Sequence, residues 1–190
     1  MHIILSYLSS MGLYMLLVLP IVAIYRYIIW KKRHRQVKLL REIGIYAFLL
    51  FLIGLLSQTI FPKISYSGTT IFMSNGHHQA INTEPFRVIV ETYNAIKYLN
   101  LWEPFFINFL GNILMFIPIG FFVALLSRKG EHFFVNIATG FLLSLSIELL
   151  QLPQMRSSDV DDLWLNTLGT MIGWAIIPII PETVRERFKR

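Results

Sequence analysis

The sequence predicts an all-α, polytopic membrane protein with five transmembrane helices and an amphipathic helix on the outer interface. Hydrophobic residues make up 55% of the 190 positions and charged residues only 15%, whereas soluble domains carry about 25% charged residues. Five apolar runs have the length of a membrane span, and the segments that connect them are alternately rich and poor in basic residues. A water-soluble enzyme is excluded by this composition.

Each apolar run is close to the length of about 20 residues that a helix needs to cross the hydrocarbon core. The first run is the longest and contains Pro20. The runs are Ile3–Trp30, Ile43–Ile60, Ile107–Leu126, Phe133–Leu150 and Leu163–Ile180. Because the last two are joined by only a short connection, we expect them to be antiparallel neighbours.

The distribution of Lys and Arg predicts the orientation of the chain. Twelve of the seventeen basic residues lie in the first connection, the third connection and the C-terminal segment, and four lie on the opposite side. Cytoplasmic segments carry the excess of basic residues, so we expect the N-terminus outside and the C-terminus in the cytoplasm. The net charge of +6 therefore indicates topology and a membrane-lipid partner, and we expect no nucleic-acid partner.

Residues 61–104 form the longest segment between apolar runs. Its first part, Pro62–Gly76, is polar and rich in turn residues, and we expect a solvated loop that includes His77 and His78. Apolar residues then recur at helical spacing, which predicts an amphipathic helix over 85–98 that lies on the outer interface. Asn82 or Thr83 is expected to cap it.

Polar side chains interrupt the last three apolar runs, where lipid makes them costly and marks them as candidates for function. The polar side chains of the fourth run lie on one helical face, and those of the fifth run lie on one face of their own helix. Both faces extend to the connection between the two helices. We predict a ligand-binding site formed by Asn112, Glu148, Gln151, Arg156, Asp159, Asp161, Asp162 and Asn166. The alternative is a structural role, in which Arg156 neutralises the acids and the asparagines link helices.

Four further residues on the third and fifth runs are expected to be structural. Pro118 removes a backbone donor and is expected to kink its helix, and the glycines allow close helix approach. The set is Pro118, Gly120, Gly169 and Gly173. The chain has no cysteine, which excludes thiol catalysis and cysteine-ligated zinc; we expect no cofactor.

Four ordered motifs resemble those of the VanZ-like family of bacterial membrane proteins. They are Asn82-x-x-Pro85-Phe86, Asn112-x-x-x-Phe116-x-Pro118-x-Gly120, Ser144-x-x-x-Glu148-x-x-Gln151, and Arg156-x-x-Asp159-x-Asp161-Asp162-x-x-x-Asn166-x-x-Gly169. We therefore divide the chain into two unassigned helices with a loop (1–79), a VanZ-like region (80–175) and a basic tail (176–190). The resemblance implies a bacterial cell-membrane protein, and the family's founding member is associated with low-level resistance to teicoplanin. It supplies no catalytic residue.

Three functions are compatible with these observations. The favoured one is an envelope protein that lowers susceptibility to glycopeptide or lipoglycopeptide antibiotics by engaging a lipid-linked wall precursor or a lipopeptide at its outer face. The alternative is a membrane enzyme whose acids hold Mg²⁺ and act on a lipid-linked phosphate, although the sequence carries no recognised catalytic motif. A transporter is disfavoured, because the polar residues gather at one end and no inverted repeat is visible.

The basic asymmetry makes a testable prediction about topology. A reporter fused after Arg190 should read cytoplasmic, and one inserted near Gly76 should read extracytoplasmic, because twelve basic residues lie on the first side and four on the second. Enzymatic reporters active on only one side of the membrane measure this. An inverted signal at either position would refute the five-span arrangement.

Overall fold

A computed structural model of the chain describes residues 2–33, 38–60, 63–67, 70–74, 82–152 and 159–189. It contains seven α-helices within those ranges: α1 (His2–Arg33), α2 (Leu39–Thr59), α3 (Arg87–Leu99), α4 (Gly111–Leu126), α5 (Phe133–Gln151), α6 (Val160–Ile176) and α7 (Glu182–Phe188). A π-helical segment, Phe105–Leu110, leads directly into α4, and a 3₁₀ turn, Ile177–Ile179, extends α6. The predicted all-α class is confirmed.

Four helical segments in the described ranges are long and apolar enough to cross a membrane: Met11–Lys32, Leu39–Thr59, Phe105–Leu126 and Phe133–Gln151. A fifth span is obtained when Val160–Ile179 is taken together with Glu182–Phe188, although these two helices are bent by 119°. Two acids, Asp161 and Asp162, lie in the first turn of α6 and lower its hydropathy. The protein is therefore a multi-pass membrane protein, as its sequence predicts.

The segment after α2 differs from the expected loop. Lys63–Ser67 (β1) and Thr70–Ser74 (β2) form an antiparallel hairpin, in which Lys63 is opposite Ser74 and Tyr66 is opposite Ile71. Polar and apolar residues alternate along Lys63–Ser67, and this period of two favours a strand. The turn residues that flank the segment obscured that pattern. His77 and His78 lie outside the described residues.

Helices α4 and α6 run parallel and are in unusually close contact. A Cβ atom added at Gly169 would overlap the carbonyl oxygen of Ile113, and one at Gly173 would overlap that of Ile117. Gly120 meets the carbonyl of Thr170 in the same way from α4. Such backbone approach requires the absence of a side chain. Pro118 lies inside α4, which continues past it to Leu126.

Helix α5 packs antiparallel against α6. Ser144 of α5 is bonded to Asn166 of α6, and Gly140, one turn earlier, faces Thr170, one turn later. The short connection between the two helices therefore joins antiparallel neighbours, as expected. Leu55, Phe116, Ile119 and Ile147 form the largest buried apolar cluster, which joins α2 to α4 and α5.

The bundle has two ends that differ in charge. We call the end where α5 stops and α6 starts the acidic end, since Glu148, Asp159, Asp161 and Asp162 lie there. The end where α2 starts and α7 lies is the basic end, which carries Lys38, Arg41, Arg185, Arg187 and Lys189. The acidic end is the one predicted to face outward.

Replacement of Gly169 tests the close approach of α4 and α6. Gly169→Leu, and even Gly169→Ala, should lower stability by about 3 kcal/mol or more, because overpacking costs about 1–3 kcal/mol where side chains can adjust and here main-chain atoms are in the way. Thermal unfolding in detergent measures the loss. Gly12→Leu is the matched control, since among the described residues nothing beyond its own stretch of helix lies within 4 Å of a Cβ built at Gly12. A Gly169 variant as stable as the Gly12 variant would contradict the packing.

Candidate functional site

Six of the eight residues predicted to form a site lie together at the acidic end. They come from three helices and from the residue before α6, and they are Asn112, Glu148, Asp159, Asp161, Asp162 and Asn166. Gln151 lies at the same end, but its amide donates to the carbonyl of Thr59 at 2.8 Å and so connects α5 to α2. Arg156 falls in 153–158, outside the described residues.

Asp159 is the N-cap of α6. Its carboxylate Oδ1 accepts the amide of Asp161 at 2.9 Å and the side-chain amide of Asn82 at 2.8 Å. A carboxylate at this position satisfies a helical amide that has no partner within the helix. The backbone amide of Asp159 in turn donates to Glu148 at 3.0 Å. Burial raises the pKa of the Asp159 carboxyl above its usual range, while its two hydrogen bonds oppose the rise.

Asp161 holds the start of α3 rather than facing an open site. Its side chain is fully buried and accepts the amides of Phe86 at 2.5 Å and Val88 at 2.7 Å, one on each oxygen. The indole N–H of Trp164 donates to the same carboxylate at 2.8 Å. A negative group at a helix N-terminus is favourable because of the free amides and the helix dipole. Asp161 thus caps a helix that is 73 positions away in sequence.

The predicted capping of α3 by Asn82 or Thr83 is therefore wrong. The helix starts at Arg87, after Phe86 in the left-handed conformation with φ of 64°, and no side chain of its own segment caps it. Asn82 instead accepts the amide of Glu84 at 3.0 Å, and its carbonyl accepts the amide of Val160 at 3.1 Å. The segment is held from α6, which is why local sequence could not show its cap.

Asp162 and Glu148 form a pair of carboxyl groups between α5 and α6. Glu148 is buried, with 6% exposure, and the Asp162 side chain lies within hydrogen-bonding reach of it. Asn112 of α4 donates to Asp162 Oδ1. A hydrogen bond between two carboxyl groups exists only while one of them carries a proton. When one of the two carries a proton, the pair offers one donor and several acceptor oxygens.

Two neutral polar residues complete the network. Asn166 donates to Ser144 at 2.9 Å, and Ser144 is 3.4 Å from the backbone oxygen of Asp162. The carbonyl oxygen of the Asn166 side chain is buried without a partner among the described atoms. The asparagines thus link helices, as in the structural alternative.

The described residues include no group of three His, Asp or Glu side chains arranged to hold a metal ion. Both oxygens of Asp161 and one oxygen of Asp159 accept hydrogen bonds within the capping network. In the described part of the chain, the Mg²⁺ hypothesis therefore has only the Glu148–Asp162 pair as a starting point.

Sequence reasoning gave Asn82 only a local capping role and did not single out Trp164, although both residues organise this end. Asn82 joins the segment before α3 to the start of α6, and Trp164 donates to Asp161 while its ring lies 5.6 Å from that of Phe86. The spacing of Asp161 and Trp164, three apart on one helix, was visible. Their contact with Phe86 was not.

One family model, described as VanZ/LLP1, matches residues 48–181. The match begins within α2 and ends just before α7, so it includes every described residue of the acidic end. No curated protein and no solved structure matches the chain.

Replacement of aspartate by asparagine distinguishes the structural roles of Asp159 and Asp161. Asp161→Asn should lower stability by about 1–3 kcal/mol, because an amide offers one acceptor where two oxygens are needed and places N–H₂ against a backbone donor. Asp159→Asn should be nearly neutral, since only Oδ1 is used and Asn caps helices well. Thermal unfolding and hydrogen exchange of the α3 amides measure both effects. Equal behaviour of the two variants would contradict these roles.

Proposed function

Because the chain belongs to the VanZ-like family, we propose that it acts in the bacterial cell membrane and lowers susceptibility to glycopeptide and lipoglycopeptide antibiotics such as teicoplanin. The site of action is the acidic end, which faces outward, with the N-terminus outside and the C-terminus in the cytoplasm. Lipid-linked wall precursors and lipopeptide drugs both meet a membrane from that side.

The observation that carries this proposal is the Glu148–Asp162 pair. Asp159 and Asp161 each have a structural duty that accounts for a carboxylate at their positions. Glu148 and Asp162 also accept hydrogen bonds, from the Asp159 amide and from Asn112, but a neutral acceptor could serve at both places. Two carboxyl groups side by side, one of them almost fully buried, are costly in a membrane span.

The chemistry of the pair suits a ligand rich in hydroxyl and amide groups. Carboxyl oxygens accept from O–H and N–H donors, and a carboxyl group that carries a proton donates to a ligand carbonyl. Arg156 completes the proposed site, since its forked guanidinium suits the phosphate or carboxylate of such a ligand.

Neutral isosteres of the pair test the proposal. Glu148→Gln and Asp162→Asn should each abolish the increase in teicoplanin resistance that the wild-type chain confers on a susceptible host, yet keep the fold. An amide has the shape of a carboxyl group and supplies a donor, and Asn at 162 can still accept from Asn112. Minimum inhibitory concentrations at matched membrane levels, with melting temperatures in detergent, are the measurements.

The matched control is Glu91→Gln, an exposed acid on α3 that is paired with Arg87. It should leave resistance unchanged. The double variant Arg156→Ala/Asp162→Asn should recover any stability that Arg156→Ala loses, but not resistance. If resistance returned together with stability, or if both isosteres conferred wild-type resistance, the acidic end would be structural only.

An enzyme acting on a lipid-linked phosphate is the second candidate, and the same pair favours it. Of two adjacent carboxyl groups, a protonated one can act as a general acid and an ionised one as a general base. Purified protein should then turn over a polyprenyl-linked phosphate, and Glu148→Gln should remove the turnover. Resistance without turnover of such a substrate would support the binding function over this one.

A further inference from the structure

The basic end of the bundle contains an open pocket that the function above does not use. Lys38, Leu39 and Leu40 at the start of α2 form one wall, and Glu186 and Arg187 of α7 form the other. Its volume is about 380 Å³. The pocket lies at the opposite end of α2 from Thr59, which contacts Gln151 at the acidic end.

The pocket is held by defined contacts between α2 and α7. The 119° bend after α6 turns α7 across the end of the bundle. Arg41 donates to the carbonyl of Phe188 at 2.8 Å, and the Phe188 ring lies 3.1 Å from a Cβ built at Gly44. Because these contacts anchor α7 on α2, Arg187 and Lys38 are presented together rather than on separate flexible segments.

The charge within the pocket is positive. Glu186 is compensated by Lys189 and Arg128, each at 3.4 Å. Neither Lys38 nor Arg187 forms an ion pair with another described residue, and Lys38 makes only a 3.4 Å contact to the carbonyl of Lys189. Lys38 and Arg187 therefore face the cavity as two exposed cations. Leu39 and Leu40, which form its apolar wall, are 71% and 38% exposed.

We propose that this pocket binds an anionic glycerophospholipid, with the lipid phosphate between Lys38 and Arg187 and the acyl chains along Leu39 and Leu40. Leu39 begins a transmembrane helix, so the pocket lies where headgroups meet hydrocarbon. A cationic pocket with an apolar wall at this depth complements both parts of such a lipid. A soluble anion would use the cations and leave the leucine wall exposed.

The test measures lipid binding to the full chain in neutral detergent by native mass spectrometry, with phosphatidylglycerol and phosphatidylcholine as probes. Wild type should bind phosphatidylglycerol more tightly than phosphatidylcholine. Lys38→Gln/Arg187→Gln should weaken phosphatidylglycerol binding by roughly 25-fold, about fivefold for each basic residue removed. The charge-preserving Lys38→Arg/Arg187→Lys should retain binding, which separates loss of charge from loss of fold.

Lys31→Gln/Lys32→Gln is the matched control, because it removes two exposed basic residues from the end of α1. Its binding should stay within about twofold of wild type, since the pocket is intact. An equal loss in the control would show diffuse attraction of lipid to the basic end and would overturn the proposal. So would displacement of phosphatidylglycerol by inorganic phosphate alone at comparable concentration, which would identify an anion site without a lipid contact.

Discussion

The backbones of α4 and α6 pass so close that a side chain at Gly120, Gly169 or Gly173 would overlap main-chain atoms of the opposite helix. This contact sets the position of the start of α6. With Gly169 against Ile113, the first turn of α6 lies beside Asn112, and Asn112 then reaches Asp162. The arrangement of the acidic end therefore follows from a packing constraint located several residues away.

The four acids at this end form two pairs that differ in their contacts. Asp159 and Asp161 satisfy helical amides: Asp159 in its own helix and Asp161 in α3. Buried amides without acceptors are costly in a low-dielectric region, so these carboxylates stabilise the fold and position α3. Glu148 and Asp162 lie side by side between α5 and α6, where Glu148 accepts the backbone amide of Asp159 and Asp162 accepts the side-chain amide of Asn112.

The two ends of the bundle are held together by different kinds of interaction. The basic end carries most of the ion pairs between described residues, including those of Glu131 with Arg185 and Lys189. Lys38 and Arg187 line its open pocket. The acidic end is built from hydrogen bonds to carboxylates and from aromatic contacts such as Phe86 with Trp164.

The sequence by itself determined the membrane class, the approximate limits of the spans and the existence of α3, because burial in lipid requires long apolar runs and an interfacial helix requires a regular apolar face. It also drew attention to the acids, since a charge within a span is conspicuous in any sequence. The hairpin of Lys63–Ser67 with Thr70–Ser74 was missed, because its short alternating pattern lies among turn residues.

Only the tertiary structure decided what each acid does. Asp161 and Asp162 are adjacent in sequence and chemically identical, yet one points to the amides of Phe86 and Val88 and the other to Asn112 and Glu148. Successive residues of a helix are turned by about 100°, so neighbouring carboxylates meet different helices. Which helices those are depends on the close contact of α4 with α6, and that contact joins parts of the chain about fifty residues apart.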